Sequence, residues 1–304
     1  MLAPAEFVKS PEALQRTYTS EEGCAYTRWL ATHHYENFHV VSFLLPKRLH
    51  QDFYNVYAYC RWADDLGDEI GDTAESLRLL EWWRGELDGM YAGRARHPVF
   101  AALRRTVEEY AIPREPFTDL LDAFVQDQTV TRYRDWDGVF GYCRNSANPV
   151  GRLVLYLCGY SDAARQRLSD ATCTALQLAN FWQDVTIDLL KDRVYIPLEI
   201  IERHGYSLDE LFARRFTPAF REVMREIVAK ARDLFSEGLP LSKMVDRRLA
   251  IDLDLFSRGG MRVLDKIEQQ GYDVLRARPA ISKVERVGLL LGSLARVAFA
   301  ARAA

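Results

Sequence analysis

An all-α fold in a single domain is predicted by three features of this sequence. Apolar residues recur at helical spacing through most of the chain, and no run of alternating apolar and polar residues marks out a sheet. Helix-start signals recur as well: Pro follows a capping residue at Ser10-Pro11 and Thr217-Pro218, and capping boxes stand at Ser207-Leu208-Asp209-Glu210 and Ser282-Lys283-Val284-Glu285. No linker long enough to separate two domains interrupts the 304 residues, and at 48% hydrophobic content they can bury a large core.

Taken in order, Ser10-Pro11 and Ser20-Glu21-Glu22 open helices, the second ending near residue 34. Pro46 opens a long helix through Phe53, Tyr54, Val56, Tyr57, Ala58 and Cys60 that stops near Gly71. Thr73 caps a helix reaching Tyr91, residues 93–98 connect, and residues 98–110 and 116–134 read as two more helices. Residues 136–159 are helical but interrupted at Asn148-Pro149, where Pro removes a backbone donor. Ser161 begins the next helix, which Pro197 must break or restart. Beyond the Ser207 box, Thr217-Pro218 starts a helix to about residue 237. Residues 241–270 are helical with a break at Gly259-Gly260, and the Ser282 box opens the last helix.

Composition excludes several classes. A net charge of -3 gives no field for nucleic acid. The five cysteines (Cys24, Cys60, Cys143, Cys158, Cys173) are scattered, odd in number and without a CxxC pair, which argues for a reducing compartment and against a disulfide frame or zinc site. Residues 1–10 lack the apolar core of a signal peptide, and no window reaches the roughly 20 apolar residues of a spanning helix. The nearest, residues 287–301, is broken by Arg296 and reads as a core helix. A cytoplasmic protein is expected, with peripheral contact at the inner membrane left open.

Two acidic motifs carry the chemistry. Asn180, Asp184 and Asp188 recur every fourth residue between Phe181, Trp182, Val185 and Ile187, so a polar stripe runs along an apolar-flanked helix. Asp64 and Asp68 repeat the spacing upstream. Like charges on adjacent turns repel by roughly 0.2–0.5 kcal/mol on an exposed helix, and more once desolvated. A sequence that keeps the arrangement twice is expected to bind cations there. Mg²⁺ prefers oxygen ligands and is commonly held by one or two carboxylates plus substrate phosphates. Two such helices facing one another would line a Mg²⁺–diphosphate cavity.

The pair Asp64-Asp65-Leu66-Gly67-Asp68 and Asn180-x-x-x-Asp184-x-x-x-Asp188 resembles the two aspartate-rich motifs of the squalene/phytoene synthase family. The likeness covers residues 34–278 and includes residues 38–46, Tyr57-x-x-x-Arg61, residues 142–151 and Leu264-Asp265-x-Ile267. It implies an all-α isoprenoid-synthase bundle with a central cavity. Asp64, Asp68, Asp184 and Asp188 would be catalytic metal ligands supported by Asn180, holding two or three Mg²⁺ ions with the substrate diphosphate. Arg61 is either an i,i+3 partner of Asp64 or a bidentate diphosphate ligand; the family match at Tyr57 and Arg61 favours the diphosphate. Lys191 and Arg193 close over the leaving group or form a solvated turn. His34 matches a family position near the diphosphate, Phe38, Tyr57 and Tyr142 belong to the matching aromatic segments, and Gln177 could reach substrate or fix a water.

Two departures bear on the reaction. Relatives that condense two prenyl diphosphates carry Arg where this chain has Gln183, and Tyr where it has Gly260. A lost cation at Gln183 suggests fewer phosphates to hold. Glu36-Asn37-Phe38, Phe181-Trp182-Gln183-Asp184 and Gly271-Tyr272-Asp273-Val274-Leu275 resemble the bacterial hydroxysqualene synthases of the hopanoid-type squalene pathway. The activity this implies is transferase- or lyase-type: Mg²⁺-dependent conversion of presqualene diphosphate to hydroxysqualene without NADPH. The alternatives are head-to-head condensation of two farnesyl diphosphates, as in presqualene diphosphate, squalene or phytoene synthesis, and a non-catalytic assembly factor of the same fold. The retained aspartates weigh against the last. The apolar product implies transient membrane-surface contact or hand-off to a downstream squalene-forming enzyme.

Overall fold

A computed structural model describes residues 1–33 and 45–303, with side chains through residue 297. His34 and Phe38 lie outside the described residues. Regular secondary structure among those described is helical, and the β-type pairing they contain is an isolated parallel bridge between Arg132 and Val194. The all-α class therefore holds. Backbone packing groups residues 1–129 with 152–161, and residues 130–151 with 162–304.

In the first unit, short helices α1 (Pro4–Phe7) and α2 (Pro11–Gln15) precede α3 (Ser20–His33), α4 (His50–Asp68), α5 (Thr73–Tyr91), α6 (Pro98–Tyr110) and α7 (Glu115–Gln126). Helix α4 is the axis, packing on α3, α5, α6 and α7. Its inner face buries Tyr59, Trp62, Ala63 and Leu66 completely. Trp62 stacks on Trp83 at 4.9 Å, and the Tyr59 hydroxyl donates to the Phe117 carbonyl oxygen at 2.8 Å. A buried polar seam fixes the register of three helices. Thr27 Oγ1 donates to Asn55 Oδ1 (2.7 Å), Asn55 Nδ2 to Thr106 Oγ1 (3.0 Å), and Thr106 Oγ1 to Asp52 Oδ1 (2.8 Å). Such a network costs little when every member is satisfied, and it anchors the first turns of α4.

In the second unit, α8 (Trp136–Ser146) and α9 (Asn148–Leu157, whose residues from 152 on pack with the first unit) precede α10 (Ala163–Asp188). Then come α11 (Leu198–Arg203), α12 (Leu208–Phe212), α13 (Pro218–Gly238), α14 (Arg247–Gln269) and α15 (Lys283–Ala303). Helix α10 is the axis here, packed on α8, α13 and α14.

Several boundaries differ from expectation. Asp72, not Thr73, caps α5, its Oδ1 accepting from Glu75 N at 2.8 Å, and Asp162, not Ser161, caps α10. A 3₁₀ turn, Lys47–Leu49, separates Pro46 from α4. Helix α7 stops eight residues short of 134, because residues 130–134 lie beside residues 192–199. Val194 N donates to Thr131 O (2.9 Å), Leu198 N to Tyr133 O (3.0 Å) and Glu199 N to Arg134 O (2.9 Å). Helix α11 starts directly after Pro197, the restart that this proline was expected to give if not a break. Helix α14 runs unbroken through Gly259-Gly260. A Cβ on Gly260 would sit 2.2 Å from Phe235 Cζ, so this glycine serves close helix packing and not a break. The Asn148-Pro149 interruption and the capping boxes at Ser207 and Ser282 occur as expected. No helix among the described residues is long and apolar enough to cross a membrane.

Candidate active site

Both acidic motifs end their helices. Asp68 is the last residue of α4 and Asp188 the last of α10, with Asp64 and Asp184 one turn earlier, and neither last turn contains a basic residue. The carboxylates therefore lie at the negative end of the helix dipole, where an anion costs about 0.3–1 kcal/mol. A sequence that does this twice, adding like-charge repulsion at i,i+4, has built two places that a cation relieves.

On α4, Asp68 is exposed, Asp64 half-buried and Asp65 buried. The Arg61 guanidinium turns along its own helix, with Nη1 3.2 Å from Asp64 Oδ2 and Nη2 on Asp65 Oδ1. Arg61 thus occupies the ion-pair geometry that its spacing allowed, and Asp65 serves as its buried anchor. Tyr57, one turn earlier, is half-buried.

On α10, Gln177 is half-buried, Asn180 exposed, and Asp184 and Asp188 half-buried along one face. Gln183 is buried, and its Nε2 donates to the Pro279 carbonyl oxygen. Beside it Arg278 grips Asp184 through Nε on Oδ1 and Nη2 on Oδ2 (3.2 Å). Gln270 Nε2 donates to the carbonyl oxygens of Asp273 (3.1 Å) and Ala277 (3.2 Å), tying the same segment to the end of α14. Residues 276–280 thereby form a strap fixed across the acidic stretch of α10. Sequence reasoning gave Arg278 no role; its position at the edge of the family likeness was the only signal.

Burial pushes the Asp188 carboxyl up to about 7, with the neighbouring Asp184 charge adding to the effect and Arg193 and Lys191 opposing it. Lys191 is exposed and Arg193 half-buried, so the two cations flank the last acid of α10. Their loop is held by Arg132, another residue without a sequence signal. Arg132 Nη2 meets Asp192 Oδ1 at 2.5 Å, and Asp192 takes the left-handed conformation (φ 54°) that turns the chain.

Against this acid lies an aromatic wall. Phe181 stacks on Tyr195 at 3.7 Å, Tyr142 lies 6.1 Å from Phe181 and 5.7 Å from Tyr195, and Tyr133 lies 5.6 Å from Tyr142; all four are buried. Phe181, Tyr195, Asp188 and Arg193 line one small pocket with Val185 and Leu211. A carboxylate, a guanidinium and a ring stack thus converge within the second unit. Trp182, by contrast, is fully buried in the core.

Among the described residues no group of three or more His, Cys, Asp or Glu is arranged to hold a metal by itself. The acidic sets are pairs of carboxylates. That suits a hard cation completing its shell with waters and phosphate oxygens, and it does not suit zinc or a closed protein cage.

Comparison with known proteins agrees with this chemistry. The squalene/phytoene synthase family model matches residues 31–285. The chain is 44% identical to the crystallised squalene synthase HpnC of Alicyclobacillus acidocaldarius, with a TM-score of 0.80, covering 83% of this chain and 95% of that one. It is 34% identical over 276 residues to the hydroxysqualene synthase of Sinorhizobium fredii (88% of this chain, 92% of that one). It is also 34% identical over 258 residues to the phytoene synthase of Thermus thermophilus (84% and 87%).

Proposed function

We propose, from the premise that this chain belongs to the squalene/phytoene synthase family, that it converts presqualene diphosphate to hydroxysqualene with release of diphosphate. Membership makes it an isoprenoid synthase acting on isoprenoid diphosphates. The observation that carries the finer reading is the convergence at the end of α10 of Asp188, Arg193 and the Phe181–Tyr195 stack. Charged groups beside an apolar, aromatic wall support a leaving-group end next to a hydrocarbon pocket.

Asp64 and Asp68, and Asp184 and Asp188 with Asn180, would hold Mg²⁺, their oxygen donors matching it. When bound, Mg²⁺ neutralises the departing diphosphate. Lys191 and Arg193 orient that anion by charge, and Arg61 assists once turned from Asp64. Tyr142, Phe181 and Tyr195 face the cyclopropylcarbinyl cation with their rings and exclude all but one water. The cation rearranges, a cyclopropane C–C bond breaks as that water forms the new C–O bond, and the water loses a proton, giving the open-chain alcohol. No hydride is consumed, so NADPH has no part. The product is too apolar to diffuse freely and passes to a squalene-forming enzyme. Gln183 is spent on Pro279, and the cation beside Asp184 is Arg278 instead.

A second reading, head-to-head condensation, is favoured by the equal identity to the Thermus thermophilus phytoene synthase. Purified protein with Mg²⁺ and presqualene diphosphate, without NADPH, is expected to yield an alcohol. No alcohol from this substrate, with a C30 or C40 product from farnesyl or geranylgeranyl diphosphate alone, would establish the second reading instead.

A further inference from the structure

Helix α15 turns two of its charges towards the neighbouring helix α14: Glu285 accepts from Arg262 Nη2 at 2.6 Å and pairs with Lys266 Nζ at 3.0 Å, and Arg296 Nη2 meets Asp254 Oδ2 at 2.7 Å. Leu289, Leu290 and Leu294 are half-buried, but three other aliphatics face outward. Val284, Val287 and Leu291, on one face at i, i+3 and i+7, are 82%, 57% and 61% exposed. Single exposed aliphatics are ordinary, but three along one helix face are not. Nearly all of this helix lies beyond residue 285, where the family match ends.

The charge around the stripe selects what covers it. Every acidic residue of α14 and α15 is buried or ion-paired. Asp252 and Asp254 are buried, Asp265 and Glu268 are held by Arg232, and Glu285 by Arg262 and Lys266. Exposed cations remain beside the stripe, at Lys283 and Arg286. Residues 286–304 contain Arg286, Arg296 and Arg302 and no Asp or Glu. Apolar side chains with a basic surround match an anionic bilayer, where the aliphatics enter the headgroup–acyl boundary and the cations meet lipid phosphates.

We propose that the outer face of α15, with Lys283 and Arg286 beside it, is a docking surface for an anionic lipid bilayer. The test is sedimentation of the full chain with phosphatidylglycerol/phosphatidylcholine vesicles and with phosphatidylcholine vesicles alone, with light scattering at the same protein concentrations. Wild-type protein is expected to partition at least tenfold more strongly onto the anionic vesicles and to lose that preference in high salt. Val287→Glu with Leu291→Glu should remove binding, and Lys283→Gln with Arg286→Gln should weaken it several-fold. Unchanged thermal midpoints in both variants would show that folding is intact. No vesicle binding by wild type, equal binding to both vesicle types, or equal binding by the glutamate variant would overturn the proposal. So would a solution dimer that the glutamate variant dissociates, which would assign the face to a second copy of the chain. None of these readouts depends on which isoprenoid diphosphate is turned over.

Discussion

The Arg278 guanidinium occupies both carboxylate oxygens of Asp184 across 94 positions of sequence, and Gln183 next door holds the Pro279 carbonyl. A protein cation thus sits on a carboxylate that Mg²⁺ would need in the proposed reaction. Metal binding at Asp184 must compete with Arg278, which is 47% exposed. Pairs this open are worth about 0.2–1 kcal/mol. Arg278→Gln is therefore expected to tighten Mn²⁺ binding about 1.4- to 5-fold, read by titration calorimetry or loss of the free-ion resonance. Unchanged or weaker affinity would show that the arginine does not compete.

His97 gives the pH dependence of folding. It is fully enclosed by rings, with Trp62 at 4.4 Å, Phe7 at 4.7 Å and Trp83 at 4.9 Å, and its Nδ1 accepts from Val99 N at 3.3 Å. Burial holds its pKa well below 6.5, so the folded protein keeps it neutral. The unfolded chain protonates it below about pH 6.5. The unfolded state then binds more protons, and stability is lost as pH falls, by up to about 1.4 kcal/mol per pH unit. His97→Asn keeps a capping group and cannot be protonated in this range. Its denaturation midpoint should fall less steeply between pH 6.5 and 5 than that of wild type; parallel curves would count against a buried neutral histidine.

Local chemistry explains what could be read ahead of the structure. Helical spacing and Pro or Ser/Thr starts located most helices, because those signals lie within one turn of the residues they organise. The fourfold spacing placed Asp184 and Asp188 on one face of α10 for the same reason. What escaped depends on distant partners. Residues 130–134 have helix-compatible composition, but their backbone lies against residues 192–199. Arg278 and Arg132 gain meaning from Asp184 and Asp192, 94 and 60 positions away. Gly259-Gly260 looked like a break because the ring that requires a glycine there belongs to another helix.

That ring yields a packing test. Gly260→Ala places a methyl 2.2 Å from Phe235 Cζ and 3.0 Å from Leu176 Cδ2, inside a fully buried contact. Overpacking of this kind costs about 1–3 kcal/mol. Phe235→Leu, destabilising alone, is expected to recover part of that cost in the Gly260→Ala background. A double-mutant cycle by urea denaturation measures the coupling, and additive effects would mean that the two positions do not meet.

Asp188 joins fold to function most directly, because it should oppose folding without metal and support binding with it. It closes α10 at the negative end of the helix dipole, one turn from Asp184, with a carboxyl that burial and that neighbour make hard to ionise. Asp188→Asn keeps the shape and removes the charge. In the absence of divalent ions it should raise stability by about 0.3–1 kcal/mol, roughly 0.5–1.6 °C in midpoint. With Mg²⁺ and pyrophosphate the order should reverse, since wild type gains a bound ligand that the variant holds weakly. Turnover of presqualene diphosphate should fall at least a hundredfold, the effect of losing one preorganised charge on the leaving group at about 2.7 kcal/mol. Differential scanning fluorimetry with and without Mg²⁺–pyrophosphate separates the two contributions. A variant that is less stable without metal yet equally protected by it would place Asp188 in the fold alone.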